Sequence, residues 1–413
     1  MVSDLTEILH PQDCIKFAPD VERLGFLDED FIYSKDMEAL FSLNTAASFI
    51  WRACETGSPL DEIIRRTAEK FQLPTRDAVD YVAAAVDGWR KSGLLEGAQR
   101  IDAGRIEETQ HTKEISGPVQ FGGSAEILTR TYYAVLDTVF EITCEIAAQA
   151  ERVFAVVGHL EVAVESVRNQ RRPAVRIDII DGGEAQEIYV GGELRHRCET
   201  LAEIAPLIHW QVFSKAVGDD NVMLQLHTAS VARNGQALLL AGPSGAGKST
   251  LSAALLDEGF GYLSDDMVVL DRDRFFVRGL PFSICVKETA LLPPEQGGFG
   301  RASSQLHLRA DGRWVHYRHP PSGSLVAEPQ AAGWVVFPCY DPEASGEVRV
   351  MGPAEALRRL LELSAQPRHL TRDMAIALMG WVADLKCCAL EYSDTNFAVD
   401  AVLEFCDQNQ AAE

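Results

Sequence analysis

"LLLAGPSGAGKSTLSAALLDEGFGYLSDDMVVL" spans Leu238 to Leu270 and sets the architecture from the middle of the chain outward. Its first letters close an apolar run, Gln236–Ala241, whose length suits a buried strand. The segment KSTLSAALLDEG is an amphipathic helix stopped by Gly259. Between them, Gly242, Pro243, Ser244, Gly245, Ala246, Gly247, Lys248 and Ser249 match GxxxxGK[ST], with Thr250 following. Four constrained positions match by chance in roughly one chain in a hundred of this length. The flanking strand and helix lower that further. Glycines let successive backbone N–H groups face a polyphosphate, and the helix N-terminus adds partial positive charge. Lys248 is expected at the β- and γ-phosphates and Ser249 at Mg²⁺, so the implied ligands are ATP and magnesium.

Asp265 and Asp266 follow only 17 residues after Lys248, past one helix and a sharp return, which places them beside the loop. Side chains alternate along an extended segment. One carboxylate then faces the metal while the other faces the group attacking the γ-phosphate, a division suited to a kinase. His227 lies 15 residues before Gly242, in LQLHTASVARNGQALLLAG, where a hydrogen-bonded core histidine is the alternative.

With 413 residues, 46% hydrophobic and 24% charged, the chain has room for two or three packed domains. A formal charge of −23 argues against nucleic acid as partner, because phosphate neutralisation needs clustered Lys and Arg. No apolar run approaches a membrane span, and MVSDLTEILHPQD lacks a signal-peptide layout, so a cytoplasmic protein is expected. The nine cysteines form no CxxC pair and read as reduced and structural. His307, His316 and His319 lack a completing metal ligand and read as a solvated loop.

Toward the N-terminus, the alternating runs CIKFAP, RLGFLDEDFIYS and EALFSL read as short strands. Three helices follow, from Thr45 to Glu55, from the Ser58-Pro59 start, and from Thr75 to the stop at Gly93. The result is a small winged-helix-like unit without a catalytic constellation. Over about residues 10–96 this order, with the run LFSLNTAASFIWRACETGSPLDEII, resembles the PqqD family, the precursor-recognition element of peptide-modifying enzymes. The resemblance implies that the leader of a ribosomally made peptide adds a strand beside the third strand and packs on the third helix. Those elements are residues 37–43 and 75–91 here. QRIDAGRIEETQHTKEISGPVQFGG is polar and reads as a linker, and the segment to about Asp220 as core of the following domain.

The order His227, strand, GxxxxGKS, short helix and Asp265-Asp266 after YLS resembles the HPr kinase/phosphorylase family, in its relatives tied to peptide biosynthesis. The similarity is strongest over 224–288 and weaker over about 120–400. It implies ATP on the loop, Asp265 as acid or base on a substrate hydroxyl, Asp266 with Ser249 at the metal, and His227 supporting the aspartates. Catalytic roles thus fall on Asp265, Asp266, His227 and Lys248. It also implies a homo-oligomer, which nothing in the residues requires. Two departures weaken the phosphorylase half. Thr250 stands where the family has glutamate, and the acid-x-Arg-Gly signature survives only as Phe276-Val277-Arg278-Gly279-Leu280.

The expected architecture is an α/β P-loop kinase domain of HPr kinase type, residues 124–413, after a linker at 98–123 and a small winged-helix-like α+β, PqqD-like domain at 1–97. The expected activity is ATP- and Mg²⁺-dependent phosphorylation of a Ser or Thr hydroxyl on a precursor peptide held by its leader, alongside other peptide-biosynthesis enzymes. The alternatives are a non-catalytic nucleotide-binding adaptor that delivers the precursor to a partner enzyme and a small-molecule kinase.

Overall fold

A computed structural model describes residues 14–27, 29–98, 128–165, 174–217, 222–287, 305–365 and 370–408. The expected linker lies outside them apart from residue 98. The chain forms two compact units.

The first unit begins with a three-stranded antiparallel sheet, β1 (Val21–Phe26), β2 (Glu29–Ser34) and β3 (Ala39–Ser42), followed by α1 (Thr45–Glu55), α2 (Leu60–Phe71) and α3 (Thr75–Lys91). The run RLGFLDEDFIYS is a hairpin of two strands, with Leu27 at φ 55° in its turn. CIKFAP forms no strand, only an isolated bridge between Phe17 and Leu95. Pro59 rather than Ser58 holds the N-cap of α2, with no side-chain cap bond. Ile32 turns toward the helices and joins Ile50, Trp51, Val82, Val86 and Trp89 in one core. Phe17 stacks on Trp51 with ring centroids 3.8 Å apart, and Trp89 meets Trp51 edge-on at 4.8 Å.

Because side chains alternate along β2, Phe31 and Tyr33 point to the opposite face of the sheet, yet both are buried. The cover comes from late in the chain, since residues 352–362 and 370–384 belong to this unit. Tyr33 donates its hydroxyl to Leu370 O at 3.0 Å, and Arg372 makes two 2.7 Å bonds to the Glu22 carboxylate. A domain ending at residue 97 therefore leaves out two helices of its own fold.

The second unit carries a five-stranded sheet in the order β4 (Thr129–Val135), β5 (Thr138–Cys144), β6 (Val175–Asp181), β7 (Gln186–Val190), β8 (Glu193–Cys198). The apolar run ERVFAVVGHL supplies most of α4 (Ala147–Val157), and α5 (Ile204–Ala216) follows β8. Next come β9 (Val222–Leu226), β10 (Thr228–Arg233), β11 (Gln236–Ala241), α6 (Lys248–Asp257), β12 (Gly261–Ser264), β13 (Val268–Asp271), β14 (Val277–Gly279), β15 (Ile284–Lys287), β16 (His307–Leu308), β17 (Trp314–Arg318), β18 (Ala331–Tyr340) and β19 (Glu347–Met351). The helices lent to the first unit are α7 (Pro353–Glu362) and α8 (Arg372–Asp384). Between them β20 (Ser364–Ala365) pairs with β9. The chain closes with β21 (Lys386–Tyr392) and α9 (Thr395–Gln408).

The central sheet runs β12-β10-β11-β18-β21-β19. Strands β11, β18 and β21 are mutually parallel, while β10 is antiparallel to both β11 and β12. The C-terminal ends of β12, β11, β18 and β21 and the start of β10 therefore share one edge. Leu238, Leu240, Trp334, Val336 and Leu390 are buried beneath α6 and α9, as parallel strands covered by helices require. His307 and His316 lie in strands β16 and β17, and His307 is buried, so that segment is not a solvated loop. All nine cysteines are free, but Cys14 and Cys339 are exposed rather than packed. No helix among the described residues is long and apolar enough to cross a membrane.

Candidate active site

The loop after β11 turns on two left-handed glycines, Gly245 at φ 94° and Gly247 at φ 91°. A Cβ on Gly247 would run into the Tyr392 hydroxyl and come within 3.3 Å of Tyr340 Cβ, so this position takes no side chain. Pro243, Ser244 and Gly245 are exposed at the tip, while Gly242, Ala246 and Lys248 are buried. Lys248 Nζ donates to Gly242 O at 2.6 Å and to Pro243 O at 3.2 Å, which holds the ammonium on the loop's own carbonyls. Lys248, Ser249 and Thr250 form the first turn of α6.

The aspartates lie on a bend just past β12, not inside a strand. Two hydrogen bonds fix that end of β12: Tyr262 donates to Phe282 O at 2.7 Å and Ser264 to Leu280 O at 2.9 Å. The carboxylates diverge. Asp265 is 7% exposed, and its Oδ2 accepts from Cys285 N at 3.2 Å. Its Oδ1 is buried without a hydrogen-bond partner. Burial pushes the Asp265 carboxyl up to about 6, against a lowering pull from the Ser249 hydroxyl. Asp266 keeps 48% of its side chain exposed and holds His227 Nδ1 at 3.1 Å from Oδ1. Burial lowers the His227 pKa, Asp266 opposes this, and Lys248 and Arg309 add to it. The histidine backbone is fixed by His227 N donating to Leu363 O at 3.2 Å.

The sheet edge thus brings His227, Lys248, Ser249, Asp265 and Asp266 together. Ser249 stands beside Asp265, and Asp266 beside His227. Three residues absent from the sequence reading line the same place. His209 of α5 packs edge-on against Phe282 and shares a small pocket with both aspartates. Cys285 lies there too, and Arg309 Nη1 is 3.9 Å from its sulfur. Arg309 carries a second positive charge felt by His227 and His209. Arg278, from the degenerate signature, instead bonds Asp137 at 2.7 Å. Gly279 is needed for contact, since a Cβ there would strike Leu263 O.

A magnesium site fits this donor set. Hard cations take oxygen ligands and keep several waters and substrate phosphates, so few protein ligands suffice. A buried carboxylate oxygen without a partner beside a P-loop serine hydroxyl supplies that minimum. No group of three or more His, Cys, Asp or Glu forms a denser metal site among the described residues.

Residues 30–95 match the family model described as "Coenzyme PQQ synthesis protein D (PqqD)". Over that stretch the chain is similar to PqqD. The match takes in β2, β3 and the three helices of the first unit. No curated protein matches the chain. Among solved structures, the Hpr(Ser) kinase/phosphatase from Coxiella burnetii is similar at 15% identity and a TM-score of 0.16, covering 38% of this chain and 87% of that one. A likeness at that level fixes neither fold nor activity.

Proposed function

We propose that the chain is an ATP- and Mg²⁺-dependent kinase that phosphorylates a hydroxyl of a ribosomally made precursor peptide, whose leader is held by the PqqD domain. The observation that carries this reading is the shared sheet edge on which a phosphate loop, two divergent aspartates and a histidine converge. A nucleotide holder needs the loop but not the His227–Asp266 pair.

In this reading the backbone N–H groups of residues 243–249 and the Lys248 ammonium bind the phosphates. Ser249 and Asp265 would hold the magnesium ion, which would supply positive charge against the developing negative charge of phosphoryl transfer. Asp266, the more exposed carboxylate, takes the proton of the attacking hydroxyl, and His227 keeps it oriented. This exchanges the roles that the HPr kinase resemblance gives the two aspartates. The reason is that the Ser249 hydroxyl pulls on the Asp265 carboxyl, whereas Asp266 is held by His227. The raised pKa of Asp265 favours the reverse assignment, Asp265 as base.

The peptide comes through the first unit. Among the described residues β3 has a strand partner, β2, on one side only, and α3 is the helix that the PqqD resemblance assigns to the leader. Carrying both functions on one chain converts a weak encounter into a local one.

The test is to incubate the full-length protein with Mg²⁺, ATP and the precursor encoded nearest to it, then weigh the peptide. Gain of one phosphate, abolished by Lys248→Ala, supports the kinase. Asp266→Asn should then lose turnover while keeping Mg²⁺-dependent nucleotide binding, and Asp265→Asn should lose the Mg²⁺ dependence. The opposite pattern reverses the two aspartates. Tight leader binding with no gain in mass turns the reading to an adaptor.

A further inference from the structure

Strand β18 is buried through Trp334–Phe337 and then ends on an aromatic residue, Tyr340, that is 48% exposed. Its backbone N–H donates to Ala246 O of the phosphate loop at 3.2 Å. Its Cβ lies 3.3 Å from where a Cβ on Gly247 would stand. Tyr392, at the end of the next parallel strand, is buried and offers its hydroxyl to Gly247 O at 3.4 Å. The two rings meet edge-on, with centroids 5.7 Å apart and planes at 69°.

Order along the edge gives these rings a meaning. Asp265 and Asp266 follow β12 and His227 precedes β10, both on one side of β11, whereas β18 and β21 lie on its other side. A nucleotide whose phosphates sit on the loop after β11, with its terminal phosphate toward the aspartates, must run its nucleoside toward the ends of β18 and β21. Ligands of open parallel sheets lie outside the carboxyl ends of the strands, as this path requires. The exposed ring met there is Tyr340. Tyr392 braces it edge-on from within.

We infer that Tyr340 is the platform on which the nucleobase of the bound nucleotide stacks; the inference rests on the nucleotide reading above. Nearby carboxylates close their own turns, Asp341 accepting from Glu343 N at 2.9 Å and Asp394 from Asn396 N at 3.0 Å. Recognition by stacking follows. Every base has a π-face, so adenine and guanine nucleotides bind alike.

Full-length protein, with Tyr340→Ala and Tyr340→Phe, is titrated with Mg²⁺ and each of ADP, GDP and inorganic tripolyphosphate, which lacks a base. Tyr340→Ala should weaken ADP and GDP by at least about fivefold, the low end of base–aromatic stacking. It should leave tripolyphosphate within about twofold, while Tyr340→Phe keeps wild-type affinity for all three. Unchanged ADP affinity in Tyr340→Ala, or an equal loss for tripolyphosphate, overturns the inference and leaves the phosphate loop standing. A wild-type protein that binds none of the three overturns both readings.

Discussion

Asp266 Oδ1 stands 3.1 Å from His227 Nδ1, joining the bend after β12 to the start of β10. Burial, Lys248 and Arg309 all hold the imidazole below its ordinary pKa, so it is neutral at pH 7 and serves as a hydrogen-bonding prop for the carboxylate. His227→Ala should lower the rate of peptide phosphorylation by about 10²-fold, in the range of a displaced acid–base group. ATP affinity should stay within about twofold. Steady-state rates and a nucleotide titration on one preparation separate the two effects, and a parallel loss of affinity would make His227 a nucleotide ligand.

Asp265 carries the opposite electrostatics. Its folded-state pKa is raised from 3.8 to about 6, so between those values the folded protein binds more protons than the unfolded chain. Stability therefore falls as pH rises through that window, and the penalty of a buried charge is fully present above pH 6. Asp265→Asn should stabilise the ligand-free protein at pH 7.5 by on the order of 2 kcal/mol, and the gain should vanish near pH 4. Thermal unfolding of the two proteins across that range reads the difference. A variant no more stable than wild type at pH 7.5 would mean that the carboxylate is well solvated.

The residues of the candidate site were legible in the sequence to the extent that they sit on local spacing. Gly242 to Ser249 and Asp265-Asp266 are separated by one helix and one return, and His227 by one hairpin, so a single stretch carries most of the edge. His209 and Arg309 were not legible. They arrive from α5 and from beyond β16, and nothing in the patterns around them marks a helix face or strand end as facing a distant pocket. The same holds for the first unit. Alternation in β2 marks Ile32 and Tyr33 as facing opposite ways, but not that Leu370, from far along the chain, would accept the Tyr33 hydroxyl. Pairing across such sequence distances is set by tertiary packing, which local propensity does not encode.

Asp30 has a fully buried carboxylate bonded to Arg52 at 2.7 and 2.9 Å and to Arg23 at 3.1 Å. Burial opposes its ionisation, but the two guanidinium groups win and hold it below the usual carboxylate range. A depressed pKa contributes stability that is present above the unfolded value and lost as pH falls through the folded one. Asp30→Asn should destabilise the protein by about 1–3 kcal/mol at pH 7, less than breaking a fully buried pair because both arginines reach solvent. The deficit should shrink in acid, opposite in sign to the Asp265 effect. Denaturant unfolding at pH 7 and at about pH 2, below the ordinary carboxylate value, checks both parts, and a deficit independent of pH would trace to packing instead.

Gly245 and Gly247 are both left-handed, yet only one is hemmed in. A Cβ on Gly245 meets nothing within 4 Å, so Gly245→Ala carries the backbone penalty alone, roughly 1–2 kcal/mol. Gly247→Ala adds a collision with the Tyr392 hydroxyl, which can yield only by shifting a ring packed in the core under α9. The second variant should lose more thermal stability than the first and bind no nucleotide, because the loop cannot close over that ring. Tyr392→Phe placed on Gly247→Ala removes the obstructing oxygen but not the φ strain. It should recover most of the difference between the two glycine variants, the rest staying with the Tyr392 ring carbon and Tyr340 Cβ, which remain close. Melting curves of the three proteins, read with an ADP titration, decide the matter: no recovery would place the conflict in the backbone rather than at Tyr392.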